Sequence, residues 1–408
     1  MNSKHAACTI ISKNYLAHAR SLCRSYKEHN AQNDFYVLLV DRNDNEFDFS
    51  EEPFHLIEVE SLNIPNFVDV SFKFDILELN TNVKATFLKY LIKTKSLETL
   101  LYIDPDILIY SPLDHVVNLL SDYDIILTPH HTTQIVYDGL QPDEKLFLSS
   151  GVFNLGFIGI NASDNTDHFL SWWEFHCLNS GFNEPQSGLF VDQKWVNLVP
   201  CLFDRVHILK DLGCNMAWWN LHERQLSFDN HYMVNKFTRL VFFHFSGLGP
   251  MEDTETITRH PSRYNFNNRE DLVVIFGDYK ARLKDNGYFS VKDCCYAFSK
   301  FSDGTPIPSM VRRLYSVNEW PLCKDPFDAN LDVYKWSQKS GLLNYRGSQI
   351  LTQNSRTFNQ NRIVFKGIRF GLRALLNIIG PSRYFMVMKY LSHISIIRNQ
   401  KDVFPVQT

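Results

Sequence analysis

The segment Thr99-Leu100-Leu101-Tyr102-Ile103-Asp104-Pro105-Asp106-Ile107-Leu108-Ile109-Tyr110 runs five uncharged residues into two aspartates that flank a proline, and then into a second apolar run. A short, continuously apolar stretch reads as a strand buried on both faces. In an extended backbone residues two apart point to the same side, so Asp104 and Asp106 can share one hard cation. Pro105 fixes φ and donates to no ladder, which suits a strand end. Asp-x-Asp alone is common on surface turns. Placed at the carboxyl end of a buried strand, where ligands of open α/β sheets bind, two adjacent carboxylates would repel unless they had a function.

Working outward, the segment 6–11 reads as a buried strand, 14–29 as a helix (apolar Leu16, Ala19, Leu22 and Tyr26), and 35–40 as a second strand ending at Asp41. Strand, helix and strand this close together predict a parallel βαβ unit. Strands follow at 55–59, 99–103, 124–128 and 151–160, with helices at 82–94, 113–120 and 165–179. Gly247-Leu248-Gly249-Pro250 closes this pattern. Beyond it, 269–286 and 329–341 read as helices. The predicted fold class is α/β, a sheet flanked by helices, with one domain over 1–250, a mainly helical extension over 251–360 and a basic tail over 361–408.

With 408 residues, 44% hydrophobic and 21% charged, the chain has ample core for a globular protein. The eight cysteines show no Cys-x-x-Cys spacing and are expected to be reduced and mostly buried. No apolar run reaches membrane-spanning length, no charged start precedes an apolar signal segment, and nothing suggests nucleic acid as a partner. A cytoplasmic location is expected. The tail is electrostatically distinct, with eight basic residues against Asp402 alone after residue 360. On a helical projection Arg362, Lys366, Arg369 and Arg373 form one stripe, opposite Val364, Ile368, Leu372, Leu375, Leu376 and Ile379, until Pro381 breaks the helix. Such a helix packs on the domain or docks peripherally on an anionic membrane.

Five motifs in order, Ile10-Ile11-Ser12-Lys13-Asn14-Tyr15, Tyr102-Ile103-Asp104-Pro105-Asp106, Phe153-Asn154-Leu155-Gly156, Asp192-Gln193 and His244-Phe245-Ser246-Gly247, resemble the family 8 glycosyltransferases, which include glycogenin and bacterial lipopolysaccharide galactosyltransferases. The resemblance covers about the first 250 residues. It implies the GT-A fold, which makes 1–250 a catalytic domain with a Rossmann-like mixed sheet, and a hexosyltransferase that moves a sugar from a nucleotide donor, a UDP-sugar, to a glycan or lipid-linked acceptor with retention, in cell-surface polysaccharide assembly. It implies that Asp104, Asp106 and His244 hold Mn2+ or Mg2+. On residue type alone His244 reads as a core histidine, although oxygens with one imidazole suit manganese.

By the same resemblance Ser12, Asn14 and Tyr15 would hold the nucleotide, Lys84 and Gly247 would lie at the donor, and Asn154 at the sugar. Asp192 and Gln193 would lie by the reacting carbon, and Asn215 and Trp218 on the sugar or acceptor face. Bland readings accompany these: a helix start at Asn14, a solvated Lys84, a buried Asn154 amide, a helix-dipole carboxylate at Asp192 and a core Trp218. One departure stands out. The family continues His-x-x-Gly-x-x-Lys-Pro-Trp, whereas this chain reads His244-Phe245-Ser246-Gly247-Leu248-Gly249-Pro250-Met251. The diphosphate lysine is missing, leaving Arg259, Arg263 or Lys84 as replacements. The alternatives are a sugar-nucleotide-binding module that has lost transfer, or a sugar nucleotidyltransferase, against which the chain shows no Gly-rich phosphate loop after its first strand.

Overall fold

The computed structural model describes residues 4–43, 46–320, 324–343 and 362–406. Cys323, the joint expected at 360/361 and the side chains of Arg362 and Val364 lie outside the described residues. The chain forms two compact units, Met1–Ser299 and Lys300–Thr408.

In the first unit the strands are β1 (His5–Ile11), β2 (Asp34–Leu39), β3 (His55–Glu58), β4 (Thr99–Ile103), β5 (Ile107–Ile109), β6 (Ile125–Pro129), β7 (Phe153–Asn161), β8 (Asn183–Glu184), β9 (Leu189–Phe190), β10 (Val206–Ile208), β11 (Leu226–Asp229), β12 (His231–Val234), β13 (Thr238–Arg239) and β14 (Phe242–His244). The main sheet has the order β10-β6-β7-β4-β1-β2-β3. β1 runs parallel to β2 and β4, while β7 runs antiparallel to both β4 and β6. This is a mixed, Rossmann-like sheet flanked by helices. All five residues of β4 are buried, as continuous apolar strands covered on both faces require.

The helices start where local chemistry permits. Asp75 and Glu78 form a reciprocal capping box, Oδ1 accepting from the Glu78 N–H at 2.9 Å. The helix read from 82–94 is Lys84–Lys95, and a second helix, Ile76–Asn82, which the sequence reading did not include, precedes it across Val83. The junction places Lys84 on the first turn of the second. Ser163 caps the helix Asp164–Ser180, its Oγ accepting from the Thr166 N–H at 3.2 Å. Two small sheets, β11–β13 and β8–β9, escaped the sequence reading because strands of two to four residues carry too few positions to show a period.

The expected end of the catalytic domain at 250 differs from the boundary at Ser299. Phe245 stacks on Tyr279 with ring centroids 3.9 Å apart, and Ile275, Phe276, Tyr279 and Leu283 complete one buried cluster with Met216, Phe243 and Phe245. The helix Val273–Asp285 therefore completes the core of the first unit. In the second unit the helices are Ser309–Tyr315, Asp332–Lys339 and Arg362–Ile394, the last interrupted at Gly380 (φ 77°, ψ 164°) before Pro381. Among the described residues no helix is long and apolar enough to cross a membrane, and the described cysteines are free thiols.

Asp124, at the start of β6, ties three elements together: Asn161 Nδ2 donates to its Oδ1 at 2.9 Å, Arg205 Nε to the same oxygen at 3.0 Å and Asn165 Nδ2 to its Oδ2 at 3.0 Å. Burial raises this carboxyl, but these donors outweigh burial and hold it below the usual carboxylate range. Its contribution is therefore complete above the ordinary carboxylate pKa and is lost as pH falls through the depressed one. Asp124→Ala is expected to cost about 2 kcal/mol in urea unfolding at pH 7, and the gap from the parent should shrink in acid.

Candidate metal and donor site

β5 and β14 pair antiparallel with His244 opposite Ile107, and the Phe245 N–H donates to the Asp106 carbonyl at 2.9 Å. This ladder places a histidine 138 residues downstream beside the aspartate pair. His244 Nε2 lies 3.0 Å from Asp106 Oδ1 and 3.9 Å from Asp104 Oδ2. One ligand atom from each of the three residues falls within 4.8 Å of the others, so the trio fits a single divalent cation. Burial would push the Asp106 carboxyl up, but His244 holds it below its ordinary value. Burial likewise disfavours charge on His244, yet the Asp106 and Asp104 carboxylates raise it.

A surrounding layer fixes these ligands. Tyr102 Oη donates to Asp104 Oδ1 at 2.6 Å; burial, then Asp104, keeps that phenol protonated. The other oxygen, Oδ2, is left facing His244. Asn215 Nδ2 donates to Asn154 Oδ1 and to Thr128 Oγ1, each at 3.1 Å, so its Oδ1 is the acceptor. It lies 3.3 Å from His244 Nδ1. That assigns the hydrogen to Nδ1 and presents Nε2 as a ligand, the usual way an outer partner orients a metal-binding imidazole. Trp219 meets the same ring edge-on, with centroids 5.1 Å apart. Gly156 makes room for it, since a Cβ there would sit 2.4 Å from His244 Cε1.

The other sequence-assigned residues occupy distinct places. Lys84 is buried, not solvated: Nζ lies 2.7 Å from Asp192 Oδ2, donates to the Leu155 carbonyl at 2.8 Å and sits 4.1 Å from the Tyr102 ring centre. Burial raises the Asp192 carboxyl and Lys84 opposes it. Gln193 accepts from the Leu155 N–H at 3.2 Å and donates to the Ser150 carbonyl at 3.0 Å, clamping the entry to β7. Ser12 Oγ donates to the Val40 carbonyl and accepts from Asn80 Nδ2. Asn14 Oδ1 is buried with no partner among the described residues. Tyr15 stacks on His18 with centroids 4.4 Å apart; burial, then the Asp106 carboxylate, pushes its phenol up to about 12. Gly247 has φ +70°, and its carbonyl accepts from the Arg259 N–H at 2.7 Å.

Two placements differ from the expected sugar or acceptor face. Asn215 is fully buried with both amide atoms committed to His244, Asn154 and Thr128. Trp218 belongs to a core cluster and stacks on His260. Of the cations considered for the missing lysine, Lys84 is paired with Asp192, and Arg263 is held by Asp138 at 2.9 and 3.0 Å and by backbone carbonyls. Arg259 is exposed and acts electrostatically on Tyr15. The sequence reading gave no role to Tyr102, Trp219, Gly156 and His18. Tyr102 and Gly156 stood within the quoted motifs, whereas His18 and Trp219 carried no signal beyond adjacency.

No protein-family model matches the chain. Two Bacillus subtilis proteins are similar to it. Uncharacterized protein YfnF is 27% identical over 289 residues, covering 68% of this chain and 91% of YfnF. Uncharacterized protein YfnD is 23% identical over 305 residues, covering 72% and 93%. Among solved structures the chain is similar to the galactosyltransferase LgtC in complex with donor and acceptor sugar analogs (14% identity, TM-score 0.41, 69% of this chain and 95% of that one). It is also similar to the glycosyltransferase GlyE of Streptococcus pneumoniae (16% identity, TM-score 0.40, 71% and 64%).

Gly156→Ala should force the His244 ring out of place. Calorimetric Mn2+ titration is expected to show binding weakened by about tenfold or more, with a stability loss on the order of 1–3 kcal/mol.

Proposed function

We propose that this chain is a metal-dependent glycosyltransferase that moves a hexosyl unit, with retention, from a nucleoside diphosphate sugar, a UDP-sugar, to a glycan or lipid-linked acceptor. The observation that carries this is the convergence of Asp104, Asp106 and His244 at the carboxyl end of β4, a place where α/β sheets bind ligands. Their oxygen-rich donor set with one imidazole fits Mn2+ or Mg2+. Bound there, such an ion would supply charge stabilisation to a departing diphosphate.

The chain's own residues do the rest. Asn14, with its unpartnered amide oxygen, and Tyr15 hold the nucleotide base, with Ser12 anchoring the loop beneath them. Gly247 lets the backbone approach the diphosphate, and Arg259, whose backbone N–H donates to the Gly247 carbonyl, brings the cation that the absent lysine would have given. Lys84 and Asp192 neutralise each other, and Lys84 holds the Leu155 carbonyl, so the pair positions β7 and Asn154 at the sugar. Gln193 braces the same strand. The acceptor hydroxyl attacks on the face the diphosphate leaves, with Asp192 and Gln193 near the reacting carbon. Asn215 acts through His244, and Trp218 packs in the core.

The long helix Arg362–Ile394 supports attachment to a membrane surface. Lys366, Arg369 and Arg373 are exposed on it, and so are Ile368 (48%), Phe370 (76%), Ile378 (80%), Phe385 (66%) and Tyr390 (61%). The helix carries no acidic residue, so its charge complements an anionic leaflet while its apolar side chains insert. Docking on the inner face of the cell membrane would bring the site to a lipid-linked acceptor, as in assembly of surface polysaccharide.

Three outcomes are expected. Incubation with UDP-sugars and Mn2+ should release UDP slowly without acceptor, and Asp104→Asn or Asp106→Asn should abolish the release; activity near the parent level in either would remove the assignment, and binding without turnover would favour an inactive module. Arg259→Ala should weaken UDP-sugar binding by about tenfold, ~1.4 kcal/mol, in competition assays. The full chain should sediment with phosphatidylglycerol vesicles at low salt, and truncation after Gln360 should release it with UDP-sugar binding intact.

A further inference from the structure

A second cluster of metal-ligating groups lies apart from the aspartate pair. His115, on the first turn of the helix Asp114–Leu119, faces the turn Asp211-Leu212-Gly213-Cys214. Its Nε2 lies 3.4 Å from Asp211 Oδ2 and 3.9 Å from Cys214 Sγ, and one ligand atom from each of the three residues falls within 4.8 Å of the others.

The arrangement discriminates between two chemistries. A relay triad strings its members along the imidazole, the nucleophile at one ring nitrogen and the carboxylate at the other. Here the thiol and the carboxylate approach the same nitrogen, so all three donors converge on one point, as ligands of a single ion do. Bond lengths of ~2.0–2.3 Å put donors of a tetrahedral ion roughly 3.3–3.7 Å apart. The His115–Asp211 separation already falls in this range, and the His115–Cys214 separation needs to close only slightly.

The turn is held rigidly. Asp211 Oδ1 accepts from the Gly213 N–H at 2.8 Å, which fixes the carboxylate and leaves Oδ2 toward His115. Arg224 Nη1 donates to the carbonyls of Leu212 and Cys214. Gly213 abuts the Arg239 backbone so closely that a Cβ would lie 2.1 Å from its carbonyl oxygen. Cys214 is buried, Asp211 partly so, and His115 is exposed, which leaves one side open to solvent for entry and for a fourth, water ligand.

We propose that His115, Asp211 and Cys214 form a second divalent-metal site selective for Zn2+-class ions. A thiolate with an imidazole is soft enough to favour such an ion over the Mn2+ or Mg2+ suited to Asp104, Asp106 and His244. Binding replaces the Cys214 S–H bond with a metal–sulfur bond and releases that proton to solvent. Cys214 directly precedes Asn215, whose left-handed backbone (φ +57°) and amide orient His244. An ion here would therefore stiffen the turn that carries the orienting amide.

Cobalt(II) tests this on the full chain, because only a thiolate-bearing site gives an intense sulfur-to-cobalt charge-transfer band in the near ultraviolet. One equivalent should produce the band and Zn2+ should displace it. Asp104→Asn/Asp106→Asn should keep it, and Cys214→Ser should remove it. His115→Ala, at an exposed position that leaves folding intact, should weaken cobalt binding by about tenfold or more. Absence of the band from the parent chain, or its persistence unchanged in both Cys214→Ser and His115→Ala, would overturn the assignment.

Discussion

The pairing of β5 with β14 is the constraint on which the site depends. Asp104 and Asp106 gain a shared direction from the strand end that carries them, but two carboxylates in a half-buried crevice are only a repulsive pair. The antiparallel ladder brings His244 to within 3.0 Å of Asp106 and makes a candidate ligand set of them. The same ladder buries Phe243 and Phe245, whose rings engage the helix Val273–Asp285. The candidate metal site and closure of the core are thus two consequences of one register. Slipping it by one residue would turn His244 to the opposite face.

Outward from the ligands, polar groups are satisfied in a chain: His244 to Asn215, Asn215 to Asn154 and Thr128, Asn154 to the Gly156 N–H. A separate branch runs from Asp104 through Tyr102, whose ring lies against Lys84, to Asp192. The first branch ends on β7, the antiparallel strand of the main sheet, and Lys84 ties the second to it through the Leu155 carbonyl, so movement of that strand would be felt by both carboxylate and imidazole. A buried ion pair such as Lys84–Asp192 is costly to desolvate and adds little stability by itself. Its worth lies in the position it gives Leu155 and its neighbours.

Much of this was legible in the sequence because it is local. The strand ending at Asp104 was read residue for residue, and the βαβ start within a residue or two, since buried strands and amphipathic helices announce themselves by period. The aspartate pair follows from spacing alone, whereas His244 as its partner came from resemblance. Roles that depend on pairing across the chain were not legible. Asn215 read as a residue of the sugar or acceptor face, but its environment is set by residues 29, 61 and 87 positions away. Lys84 read as a solvated lysine or a donor contact, and only the fold places it opposite Asp192. His115 and Cys214, 99 residues apart, formed no motif at all.

The central claim is that Asp104, Asp106 and His244 act as one divalent-cation site completed by a nucleoside diphosphate. Electron paramagnetic resonance of Mn2+ tests it directly, because the sharp six-line spectrum of the aquo ion collapses when the ion binds to protein. One equivalent of Mn2+ should be taken up more tightly with UDP present than without it, and Asp106→Asn should leave the aquo spectrum standing under both conditions. Uptake independent of UDP, or unchanged in Asp106→Asn, would contradict the account.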